Sequence, residues 1–244
     1  MASARPVVLP KNRLARITGG LYLSFILASV LADQLGQIGL GTTAQVHESI
    51  VMHAGSFQLG LVVALVSTFL FVAAAWGLYV LLKPINESLA LLFLVLNAIG
   101  VAIQGASMLS LVFASSLTDG ASRMQAFSAA ELEGLAFLSI GVYETGFVTA
   151  QLFFGTWLFP LGYLVFKSGS LPRFLGVLLM VDGIAILIWF SQALLLPAYP
   201  EITYPGLLVS FVAEVGLALW LLVKGVSVAG PRAGPSGRMR SDPA

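Results

Sequence analysis

Apolar positions in this chain come in long unbroken runs. They show neither the alternation of a half-buried strand nor the narrow stripe of a soluble helix. Six runs stand out, roughly residues 15–32, 57–82, 88–116, 143–166, 174–196 and 205–223. Each approaches the ~20 residues a helix needs to cross a hydrocarbon core of ~30 Å. Lipid offers the backbone no hydrogen bonds, so such runs predict helices. Helix-ending residues separate them. Lys83-Pro84 follows the second run, Gly169 and Pro172 part the fourth from the fifth, and Pro197 and Pro200 end the fifth. Pro205 suits a first helical turn, and Gly225 a C-cap. The expected fold is an all-α polytopic membrane protein, a six-helix transmembrane bundle over 13–225. Segments 1–12 and 226–244 read as disordered tails.

Composition agrees. Of 244 residues 58% are hydrophobic and 9% charged, with a mean hydropathy of +0.96, whereas soluble domains carry about 25% charged residues. There is no cysteine, which excludes disulfides, thiolate metal sites and cysteine nucleophiles. A net charge of +1 gives no case for nucleic-acid binding. The placement of charge says more. Arg5, Lys11, Arg13 and Arg16 precede the first span, Lys83 follows the second, and Lys167 and Arg173 join the fourth to the fifth. Lys224, Arg232, Arg238 and Arg240 follow the sixth, and only Arg123 falls on the opposite side. The positive-inside rule then puts both termini in the cytoplasm, in a multi-pass protein of the inner (cytoplasmic) membrane whose chief partner is the bilayer. Trp76, Tyr79, Tyr163 and Trp220 form one interfacial belt; Tyr143, Trp189, Tyr199 and Tyr204 form the other. A competing reading, a signal peptide cleaved near Val30-Leu31-Ala32, leaves five crossings.

The outward loops, 33–56 and 117–142, are the longer ones. Thr42 with Gln45 and Ser128 with Glu131 fit the capping box, so each predicts a helix start, the second running directly into the fourth span. The Gly-rich stretch from Leu35 to Gly41 reads as loop. His47, Glu48 and His53 are the one metal-capable cluster. Zinc helices place histidines at i and i+4, so the wider spacing here predicts solvated loop residues and no metal site. No cofactor motif is present.

Ionisable groups within hydrocarbon are costly and mark function by default. Counting from the cytoplasmic boundary puts Glu214 at a depth of ~15 Å, and Asp182 and Asn97 at ~13–14 Å. Gln104 and Gln151 count to ~24 Å, with Ser67 near that height. Glu144 counts to ~34 Å, at the outer interface, and is discounted as an intramembrane acid. Helical spacing links Asn97, Gly100, Gln104 and Ser107 on the third span. It likewise links Asp182, Ala185, Trp189 and Gln192 on the fifth, Glu144, Val148, Gln151 and Gly155 on the fourth, and Ser210 and Glu214 on the sixth. If these faces meet, they line a polar pocket opening outward. No lysine or arginine shares the depth of the two acids. They are then either protonated and hydrogen-bonded, sharing one proton, or facing a cation. The small stripe Ala98, Ala102 and Ala106, and Pro160 inside the fourth span, read as architecture.

Phe154 through Val165, with Lys167-Ser168-Gly169, Leu171-Pro172-Arg173 and Leu175-Gly176, resembles a bacterial integral-membrane family, domain of unknown function 4386. So do Ala15 to Leu23, Leu82 to Asn86 and Glu214 to Leu222. The resemblance runs from about residue 14 to 225 and implies a compact multi-helix membrane protein. It brings no activity, substrate or catalytic residue.

Three functions fit the residues. The first is a pocket that binds or moves a proton or a small cationic or amphiphilic solute. Asp182 and Glu214 would handle charge, and Asn97, Gln104 and Gln151 would orient the ligand. The second is an intramembrane acid–base enzyme on a lipid or isoprenoid, with one acid as proton donor; the lack of supporting His or Cys in the core leans against it. The third is an accessory or structural subunit. The sequence sets no oligomeric state. It also lacks the paired broken helices of inverted-repeat transporters.

Overall fold

The computed structural model describes residues 10–119 and 127–226. Among these residues the structure is helical with no strand. The helices are α1 (Lys11–Gly36), α2 (Thr43–Met52), α3 (Ala54–Leu82), α4 (Glu87–Asp119), α5 (Ala129–Lys167), α6 (Arg173–Leu195) and α7 (Tyr204–Val223), with a short 3-10 turn at Pro200–Thr203 before α7. Six of them are long and apolar enough to cross a membrane; the chain is a multi-pass membrane protein.

The helix starts follow local chemistry. Thr42 accepts a hydrogen bond from the Gln45 N–H while its own N–H donates to Gln45 Oε1, which starts α2. Ser128 and Glu131 repeat the arrangement and start α5. From there α5 runs unbroken through Pro160 to Lys167, so it is much longer than the apolar run beginning at 143. Between α1 and α2, Gln37 adopts the left-handed conformation at a φ of 56°, and its N–H bonds back to the Asp33 carbonyl. Residues 35 and 36, read from sequence as loop, are the last turn of α1. Lys11 and Asn12, read as tail, are its first. Arg123 and most of the two tails lie outside the described residues.

The spanning helices form a closed ring in which α1 packs on α3, α3 on α4, α4 on α5, α5 on α6, α6 on α7, and α7 back on α1. At the α5–α6 seam the two backbones nearly touch. A Cβ at Gly162 would lie 2.6 Å from the Gly176 carbonyl oxygen, and one at Gly176 would lie 2.6 Å from that of Gly162. Backbone therefore meets backbone, the membrane mode of packing through small residues. Gly77 gives the same closeness to Thr18 where α3 meets α1. The chain enters and leaves on one face, where the Val226 N–H donates to Asn12 Oδ1 at 3.1 Å. We call this the terminal face and the opposite one the loop face. Lys11, Arg13, Arg16, Lys83, Lys167, Arg173 and Lys224 all stand at helix ends on the terminal face.

Candidate functional site

The ring is filled in its terminal half. Phe71 of α3 meets Trp157 of α5 edge-on at 5.2 Å between ring centroids, and Phe93 of α4 closes on the same indole at 6.1 Å. Phe25 of α1 stacks on Phe71 at 4.0 Å, with Tyr22 alongside. Phe71, Phe93, Trp157 and Tyr22 are buried in this aromatic plug.

Above it the ring is hollow. A cavity of ≈ 460 Å³ rises from a floor of Phe25, Phe71 and Phe154 to a mouth at Asp33, Gln34 and the turn Ile38–Leu40. All six spanning helices contribute to its wall. The wall is largely aromatic and aliphatic, including Tyr143, Phe147, Trp189 and Phe211. Its polar positions are few: Ser29, Ser67, Gln104, Gln151, Ser210 and Glu214, with Asp33 and Gln34 at the mouth. Among the described residues no lysine, arginine or histidine lines it. A concave, mostly apolar site with a few converging polar groups is the usual form of a small-molecule pocket.

The two intramembrane acids occupy different positions. Glu214 lines the cavity and is half-buried. Asp182 does not reach the cavity; it is wholly buried behind α7, where Oδ1 accepts a hydrogen bond from the Ser210 hydroxyl. Ser210, one turn from Glu214, is itself a wall residue. Glu214 lies one helical turn from the serine that holds Asp182. Asp182 Oδ2 and the Tyr22 hydroxyl are buried without a hydrogen-bond partner. A buried acid, the hydroxyl that holds it and a cavity-facing acid one turn further along thus make one polar corner at the middle of α7. Such a corner can hold a proton or meet a positive group.

The amides separate as well. Gln104 and Gln151 both line the cavity, as does Ser67. Gln151 also donates to the Phe147 carbonyl of its own helix at 3.3 Å. Asn97 lies in the filled half, fully buried, with neither amide atom partnered. It shares that state with the Trp157 indole N–H. The spacing that linked Asn97 to Gln104 is real, but Gly100 between them is pressed against Phe154 at the cavity floor, so the face is divided.

Near the mouth, Asp33 Oδ1 accepts the Leu40 N–H at 3.0 Å and pins the α1–α2 turn. The Thr43 hydroxyl lies 2.7 and 2.8 Å from the two Glu144 carboxylate oxygens, joining α2 to α5. Glu144 is a tether, a role its discounted position in the sequence did not suggest. Its signal was the Thr at the start of the capped helix. His47 stacks on Phe137 at 4.3 Å, and His53 stands at the α2–α3 joint. Among the described residues no group of three or more His, Asp or Glu could hold a metal. Tyr22 and Asp33 are the site residues that sequence spacing missed. Each lies on α1, where Thr18, Tyr22, Ser29 and Asp33 share one face at helical spacing, a signal that could have found them.

An uncharacterized protein of Archaeoglobus fulgidus is 28% identical over 159 residues, covering 63% of this chain and 76% of the relative. No solved structure matches significantly. The family model described as domain of unknown function (DUF4386) matches residues 17–225, nearly the whole helical ring, and the chain therefore belongs to that family.

Proposed function

We propose that the protein binds a small amphiphile carrying a basic group, in the loop-half cavity, with Glu214 as counter-charge. One observation carries this reading: of the two acids that line the cavity, Asp33 at the mouth already accepts the Leu40 N–H, whereas Glu214 faces a mostly aromatic and aliphatic interior whose described lining offers it no cationic side chain. A bare carboxylate in such surroundings is costly, and a ligand ammonium relieves that cost. Aromatic faces such as Trp189 and Phe147 add attraction for a cation. Asp182 supports the acid from behind through Ser210, and Gln104 and Gln151 supply hydrogen bonds across the cavity. Binding fits better than conduction, because the plug of Phe71, Trp157 and Phe93 fills the ring beneath the site. The basic residues of the terminal face support an inner-membrane orientation with that face cytoplasmic.

The test uses dodecylamine and purified protein in phosphatidylcholine vesicles, read by intrinsic tryptophan fluorescence. Saturable binding to the native chain, weakened about tenfold or more in Glu214→Gln, is expected, one such factor being ~1.4 kcal/mol. Equal affinity in Glu214→Gln overturns the reading.

A second reading, an enzyme on an isoprenoid, draws on the aromatic wall beside a carboxylic acid, which suits a proton donor. A product formed from membrane lipid extract by the native chain but not by Glu214→Gln favours it.

A further inference from the structure

The cavity has two boundaries, the mouth on the loop face and the seam between α1 and α7. The seam is closed at the terminal end, where a Cβ at Gly19 would lie 2.5 Å from the Leu222 nitrogen and 2.6 Å from the Ala218 oxygen. The helices are antiparallel, so equal counts from this crossing give equal heights. Ile26 comes level with Glu214, Ser29 with Ser210, and Asp33 with Leu207. At every one of these heights both helices line the cavity. Above Gly19, then, α1 and α7 border the cavity on the two sides of their seam. The residues flanking it face both ways: Val30 and Phe211 belong to the wall, yet are 53% and 60% exposed on the membrane-spanning part of the molecule.

From this geometry we propose that the α1–α7 seam is a lateral portal, through which the ligand enters from the bilayer. This rests on the binding reading above and names the ligand's source. The occupant is a membrane-dissolved, single-chain amphiphile. Its basic head sits at Glu214 and Ser210, and its chain leaves past Val30 and Phe211 into the lipid. The seam matches such a molecule. Its inner edge carries Ser29, Ser210 and Glu214, and its outer edge is apolar. A water-soluble ligand has no need of an opening at this depth, and its route is the mouth at Asp33.

The chain has no cysteine, so single thiols report access without background. Ser67 lies on α3, in the cavity wall and 3% exposed. Ser67→Cys is labelled in vesicles by N-dodecylmaleimide, delivered from lipid, or by a sulfonate-bearing methanethiosulfonate, delivered from water. Ser29→Cys serves as a second reporter on α1, and Gln34→Cys as a control at the mouth. Faster labelling of both reporters by the lipid-borne reagent is expected. Val30→Trp, which narrows the seam, is expected to slow that labelling about tenfold, as for a portal open a tenth of the time. Labelling of Gln34→Cys from water is expected to stay unchanged. If the reporters react faster from water, if neither reagent reaches them, or if Val30→Trp leaves the lipid-borne rate unaltered, the portal is overturned. None of these readouts involves Glu214, so a lost portal and a lost amine site are told apart.

Discussion

The two halves of the ring are built from the same helices but solve opposite problems. In the terminal half, glycines bring backbones together and bulky rings fill what remains. Gly19, Gly77 and the Gly162–Gly176 pair admit no side chain, and Trp157 is 1% exposed. In the loop half, aromatic residues form a wall and ≈ 460 Å³ stays open. Lipid tails are as apolar as leucine, so burial alone does not drive membrane helices together; packing does. The loop half has its own buried core around Phe57, Leu61, Leu111 and Ile140, but packing there leaves the cavity open. The difference also sorts the polar residues. Those in the filled half, such as Asn97, have no ligand-facing surface; those in the hollow half, such as Glu214 and Gln104, do.

The comparison breaks most sharply at Trp157. Trp157→Ala opens a void in the plug and is expected to cost about 3 kcal/mol, most of it lost packing. Thermal unfolding in detergent measures it, and Phe147→Ala, in the cavity wall, should cost much less. Gly162→Ala places a methyl group on the Gly176 carbonyl and is expected to cost about 2 kcal/mol through overpacking. Equal stability of either variant and the native chain removes the claim that this half is close-packed. Thr43→Val deletes the link to Glu144 and should cost about 1 kcal/mol, a hydrogen bond to a charged group in a partly exposed place. Faster backbone exchange confined to α2 would accompany it. The smallest effect is expected from Ser29→Phe, which adds a ring where there is space. Stability should change by less than about 0.5 kcal/mol while dodecylamine binding is lost.

Much of the fold was legible in the sequence because long apolar runs have one physical solution in lipid. The capping boxes at Thr42 and Ser128 also located two helix starts that apolar runs do not mark. The site was legible only in part. Helical spacing tells which residues share a face, but not which neighbour that face meets. Gln104, Gln151, Ser210 and Glu214 point into the cavity, whereas Asp182 lies behind α7 and Asn97 below the floor. Height above the boundary was informative; direction around the ring depended on crossings such as Gly155 against Gly183, which only the packed helices reveal. Tyr22 escaped notice although it shares a face of α1 with Thr18, Ser29 and Asp33, and it is wholly buried.

The central claim is that ligand binding belongs to the hollow half alone. A diazirine-bearing alkylamine, photolysed with the protein in vesicles and followed by peptide mass spectrometry, tests it most directly. The account predicts saturable labels on the cavity-lining stretches of α5 and α7, around Phe147 to Phe154 and Leu207 to Val215, suppressed by excess dodecylamine and by Glu214→Gln. Labels confined to membrane-facing side chains such as Phe69 and Val181, indifferent to competitor and to Glu214→Gln, would contradict it.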